Sequence, residues 1–270
     1  MKTLSHHVLI FDNNCPLCKA YTGAFIKTGI LDRQGREAYN SVTPQTCGLL
    51  DMNRARNEIA LVNTKTGQVL YGIDSLFRIL AHAFPVFAPL FRLSPFRWLM
   101  KKLYSFISYN RKVIIPSDTT HDGCVPDFNM RYRRTYILFT WLATSAILTT
   151  YSQLLAGVLP PSRFFREFLV CGGQIVFQSC VLYFIDRKKI MTYLGNMMTI
   201  SFAGGLLLLL IMGIGRLCGL HDPLAYSALF LLTAGLMFIE HWRRMRLLGI
   251  HWSASASWVL YRVILLTVIL

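Results

Sequence analysis

HHVLIFDNNCPLC, residues 6–18, sets an apolar run against a polar turn and then places two cysteines three positions apart. The run reads as a buried strand. Pro16 suits the first turn of a helix, where its missing N–H is not needed. Beyond it, up to about Thr28, Leu17, Tyr21, Ala24 and Phe25 recur at helical spacing. A C-x-x-C pair at such a junction can carry electrons, hold a metal or simply pack, and the stretch alone leaves all three open.

Outward from the cysteines, "REAYNSV" (36–42) reads as a second strand and "PQTCGLLDMNRAR" (44–56) as a second helix. "EIALVN" (58–63) and "QVLYG" (68–72) flank the turn signal "TKTG" and read as a hairpin. "IDSLFRILAHAF" (73–84) reads as a helix with Ile73, Leu76, Phe77, Leu80 and Ala81 on one face. The order strand, helix, strand, helix, hairpin, helix is that of an α/β thioredoxin-like domain, in which a redox pair sits between the first strand and the first helix. There, free N–H groups and the positive end of the helix dipole favour a thiolate on Cys15.

The chain has 270 residues, of which 54% are hydrophobic, and a mean hydropathy of +0.43. Charge thins out from about Tyr136 onward, so an all-α transmembrane domain is expected after the α/β domain. The expected division is 1–116, a linker over 117–134, and four or five spans in 135–270. The apolar segments lie at about 135–157, 168–185, 194–215, 223–239 and 253–270. "GGQ" (172–174) and "AGG" (203–205) let helices approach closely, and Gln174 and Gln178 can hydrogen-bond across such contacts. Arg262 reads as a snorkelling residue of the terminal segment, with an intramembrane functional charge as the alternative.

The net charge of +15 gathers beside these spans, in "RYRR" (131–134), "DRKK" (186–189) and "HWRRMR" (241–246). Lipid head groups account for that placement, and no nucleic-acid motif accompanies it. "MKTLSHHVLIFDNNC" turns polar too early for a secretory signal. With the N-terminal domain cytoplasmic, nine arginines and lysines of these clusters fall on the cytoplasmic side, against Arg163, Arg166 and Arg216 on the other. A multi-pass protein of the cell membrane is expected. Seven scattered cysteines do not make a secreted disulfide framework, and Cys47, within the second helix, reads as a packing residue.

"DNNCPLC" (12–18), "LYGIDSLFRIL" (70–80) and "LYSFISYNR" (103–111) together resemble the DCC family of thiol-disulfide oxidoreductases, over about residues 7–116. Asp12, Cys15 and Cys18 match its aspartate and cysteines. Asn13 departs from the glycine that usually follows the aspartate; asparagine tolerates a left-handed backbone there. No proline lies between Pro44 and Pro85, where many thioredoxin-like proteins carry a cis-proline before the hairpin.

In the redox reading Cys15 attacks a disulfide and Cys18, one turn on, resolves the mixed disulfide. Asp12 either accepts a proton from the released thiol or caps the turn. No cofactor is called for; the partners are membrane lipid and an unidentified protein or small-thiol redox partner. A metal reading adds His121 and Cys124 to Cys15 and Cys18 as a Cys₃His set. A third leaves the dithiol vestigial on a membrane scaffold. "SPFRWLMKKLYSFISYNRK" (94–112) has the basic and aromatic content of a helix lying on a membrane, packed at the same time against the sheet.

Overall fold

The structure, a computed structural model, describes residues 3–116, 127–160 and 165–269. The middle of the expected linker, with His121 and Cys124, lies outside the described residues, as does Arg163. The chain forms two compact units, Met1–Tyr132 and Arg133–Leu270.

The first unit is built on four short strands in the order β2-β1-β3-β4. These are β1 (His7–Phe11), β2 (Arg36–Ala38), β3 (Ala60–Asn63) and β4 (Val69–Tyr71). β1 pairs parallel with β2, bringing Ile10 beside Glu37, and antiparallel with β3, bringing Leu9 beside Leu61. β3 and β4 are the expected hairpin. Its turn is fixed by the Asn63 side chain, which accepts the N–H groups of Lys65 and Thr66, and by Gly67 at φ +71°.

Alternate residues of β1 and β3 face opposite ways, and both faces are covered. Leu9 and Leu61 pack with Ile30, Leu31, Ile59 and Ile79. Ile10, Ala60 and Val62 pack with Ala55. α1 (Pro16–Lys27) and α4 (Ile73–Ala83) supply the first cover, through Tyr21, Phe25 and Ile79. α3 (Met52–Asn57) supplies the second through Ala55.

Two elements differ from the sequence expectation. The second strand stops at Ala38 because Tyr39–Ser41 closes into a 3₁₀ turn. The second helix is broken into α2 (Pro44–Cys47) and α3. After Gly48 the chain restarts at Asp51, whose side chain caps the Arg54 N–H at 3.1 Å. The break leaves Cys47 at the end of a four-residue helix, exposed rather than packed. After α5 (Ala88–Arg92) comes α6 (Ser94–Ile114). On α6, Ser108 and Arg111 are buried while Trp98 is 63% and Leu99 56% exposed, so the helix is two-faced as expected.

The second unit is helical: α7 (Met130–Ser152, which begins in the first unit), α8 (Arg166–Ile185), α9 (Ile190–Leu217), α10 (Pro223–Leu247) and α11 (Ser253–Ile269). Among the described residues three stretches are long and apolar enough to cross a membrane: Arg166–Ile185, Arg187–Leu217 and Pro223–Leu247. α7 carries Arg131, Arg133 and Arg134 and many threonines, and α11 has 17 residues; neither joins that group. The small residues do allow close approach. A side chain at Gly204 would run into Met237, and one at Gly173 into the Tyr261 hydroxyl. Gln178 accepts from Tyr193 across helices at 2.8 Å.

Candidate functional site

The two cysteines sit at the C-terminal end of β1 and the start of α1. Cys15 is the N-cap residue, with extended backbone, and Pro16 takes the first helical position. The Cys15 Sγ accepts the Cys18 N–H at 3.3 Å, so the sulfur occupies the place of a capping oxygen. Both residues are free thiols and both are buried, Cys15 being 2% and Cys18 5% exposed. They pack with Phe11 and Tyr21.

The polar turn before them is held by Asp12. Its Oδ1 accepts the Asn14 N–H at 2.9 Å, and its backbone oxygen accepts the Cys15 N–H at 3.2 Å. Asn13 does not use a left-handed conformation, since His6 is the one non-glycine residue with positive φ among the described residues.

The other Asp12 oxygen meets Arg111. Nη2 of Arg111 lies 3.0 Å from Oδ2, with both side chains buried. The guanidinium also donates to the carbonyls of Arg56, at 3.1 Å, and Asn57, at 3.4 Å. Burying a charge pair is costly unless such bonds satisfy it, and here the end of α3 supplies them. Tyr104, Ser108 and Arg111 form one stripe of α6 at spacings of four and three. The Tyr104 hydroxyl accepts the Ile59 N–H at 3.0 Å, and Ser108 donates to the Asn57 carbonyl.

Ile59 stands just before β3, where a thioredoxin-like protein would carry its cis-proline. Its N–H, which a proline would lack, is taken by Tyr104, and its carbonyl accepts the Gly72 N–H at 2.8 Å. Gly72 has φ +60°, and a Cβ there would lie 2.7 Å from the Glu58 carboxylate and 3.2 Å from the Tyr104 ring. This accounts for the glycine that leads the second motif.

The electrostatics separate the two thiols. The hydrogen bond from the Cys18 thiol lowers the Cys15 pKa most; the Cys18 N–H and the Arg111 charge lower it further. Burial and the Asp12 charge oppose them, and the balance is about 6 against an ordinary 9.0. Cys18 goes the other way: its bond to Cys15, its burial and the neighbouring sulfur's charge all hold its proton on. Burial also raises Tyr21 and Tyr104. One sulfur is thus an anion near neutrality and the other a proton donor to it, the division of labour a dithiol needs for exchange.

Asp12, Cys15 and Cys18, all singled out from the sequence, come together here. Arg111 was within a quoted motif without a role; its signal was the Asn110–Arg111 pair closing the third motif. Among the described residues no group of three or more His, Cys, Asp or Glu is placed to hold a metal ion.

A mixed four-stranded sheet with a buried C-x-x-C pair capping its first helix defines a dithiol site on a small α/β domain. Residues 9–115 match the model of the DCC1-like thiol-disulfide oxidoreductase family, and helices fit to cross a membrane follow them. No curated protein and no solved structure matches the chain.

Proposed function

We propose that the chain is a membrane-anchored thiol-disulfide oxidoreductase in which the Cys15 thiolate attacks a substrate disulfide. The observation that carries this reading is the Cys15 sulfur at the N-cap of α1, bonded to the Cys18 N–H and held at about pH 6 in its ionisation. A thioredoxin-like fold is supported by the strand order and by β3 running against the other pairings.

Attack forms a Cys15 mixed disulfide and releases one substrate thiolate, which takes up a proton. Cys18 then loses its proton and attacks the Cys15 sulfur, releasing the second substrate thiol and leaving a Cys15–Cys18 disulfide. Two electrons pass to the substrate, and a dithiol reductant returns them in the next cycle. Asp12 is first a positioning residue: its carboxylate, committed to Arg111 and the Asn14 N–H, fixes the turn and the charge. A carboxylate has further lone pairs, which leaves room for it to take the Cys18 proton during resolution. The domain faces the cytoplasm, in line with the basic clusters beside the spans, so the pair rests reduced and acts as a reductant.

The test is trapping with Cys18→Ser, which cannot resolve. Under a disulfide stress, proteins or low-mass thiols should accumulate on Cys15 and be released by reductant. Their absence from Cys18→Ser, with Cys15 still alkylatable, would overturn the proposal.

A further inference from the structure

The helical unit holds a partly open cavity of about 290 Å³ between α7, α8, α9, α10 and α11, close to the size at which small-molecule pockets begin, about 300 Å³. Its wall is chiefly apolar, with Leu148, Leu208, Phe230 and Met237 among its residues. Two of its polar groups stand out. Thr144 is 3% exposed, and its Oγ1 has no hydrogen-bond partner among the described residues. Arg262 lines the same space with its Nε buried and likewise unpartnered.

Arg262 turns back along its own helix. Its guanidinium lies over the ring of Trp258, one turn back on the same helix, at 3.8 Å from the centroid. The one acidic residue on the wall, Glu167, is paired with Arg166 at 2.8 Å. A cation among helices of this apolarity, resting on a ring face and short of acceptors, is costly to keep unless something answers it. Thr144, on the same wall, adds a second buried donor without a partner among the described residues.

We propose that this cavity binds a single-chain amphiphile whose tail lies along the apolar wall and whose anionic oxygen head accepts from Arg262 and Thr144. A carboxylate and a phosphate monoester share that chemistry, and both occur on lipids. The site is separate from the dithiol, and its proof or failure leaves the exchange reaction untouched.

The test uses the full chain in nonionic detergent, with labelled oleate, dodecyl phosphate and uncharged oleyl alcohol as probes. Oleate or dodecyl phosphate should bind saturably near one per chain, and about tenfold or more tighter than oleyl alcohol, the scale of a charged hydrogen bond. The tighter of the two anions identifies the source as fatty acid or phosphorylated lipid. Arg262→Gln should remove that preference for the anion, and Thr144→Val should weaken it. Equal binding of anion and alcohol by the unaltered chain overturns the proposal, and so does an Arg262→Gln chain that keeps the preference. If Arg262→Gln does not assemble, Ala234→Phe, which fills the cavity from α10, decides by abolishing or sparing anion binding.

Discussion

Replacing Cys18 with alanine removes the interaction that lowers the Cys15 pKa most, while leaving the second, the residue 18 N–H, in place. The displacement of Cys15 from 9.0 to about 6 is three units, or about 4 kcal/mol in favour of the thiolate. That total is shared among the Cys18 thiol, its N–H and Arg111, against burial and Asp12. Since the thiol is the largest contributor, its loss should raise the pKa by at least about one unit. Cys18→Ser keeps a hydroxyl donor and should move it less. The assay is the rate of iodoacetamide modification of Cys15 from about pH 4 to about pH 10, followed by mass spectrometry of the peptide that carries it. The midpoint is the proper readout rather than the rate at one pH, because nucleophilicity rises with pKa with a Brønsted slope of about 0.4–0.5 and offsets much of the lost thiolate. An unaltered chain titrating near 9, or a Cys18→Ala chain still titrating near 6, would refute the reasoning.

The same displacement couples stability to pH. Because Cys15 ionises more readily in the fold than in the unfolded chain, its contribution is absent below about pH 6 and grows up to about pH 9. Cys18, whose proton is held in the fold, withdraws stability above that. Amide exchange of β1 and β3 in the reduced protein should therefore be slowest near pH 9 after correction for intrinsic rates, and Cys15→Ala should flatten the rise. Arg111→Met leaves Asp12 buried without its partner and should weaken protection of the same strands by about 3–5 kcal/mol, with Asp12→Asn/Arg111→Met recovering most of it. Tyr104→Phe strands the buried Ile59 N–H and should cost about 1–3 kcal/mol by the same measurement, with little change in the Cys15 midpoint. Asp12→Asn should lower the Cys15 midpoint, since the carboxylate opposes the thiolate; slower resolution of mixed disulfides at a matched thiolate fraction would show that it also handles the Cys18 proton.

The strand, helix and hairpin around the cysteines were legible because each carries its own local signal: the apolar run at 8–11, Pro16 at a first turn, TKTG between two strands. The second helix was misjudged as continuous because apolar spacing persists through Leu49 and Leu50, while the stop is set by Gly48 and the restart by the Asp51 cap. The place of Cys15 at a helix start was legible from the strand before it and Pro16 after it. Its burial was not, and neither was the charge beside it, since nothing in periodicity says that residue 111 folds back onto residue 12. In the helical unit, composition marked five apolar segments, three of which fall in helices long and apolar enough to cross a membrane. It gave no sign that Arg262 turns onto Trp258, because composition does not say which way a side chain points, although the two stand four apart on one helix.

The contact between Asp12 and Arg111 spans 99 residues, and that separation acts on time as well as space. A ribosome extending the chain at about 5–20 residues per second needs roughly 5–20 seconds after making Asp12 before Arg111 exists. During that interval the first cysteine has only the contacts within residues 15–18 to favour its thiolate, and it lacks the guanidinium that adds to them. The full bias toward the thiolate thus arrives only when the last helix of the domain is made.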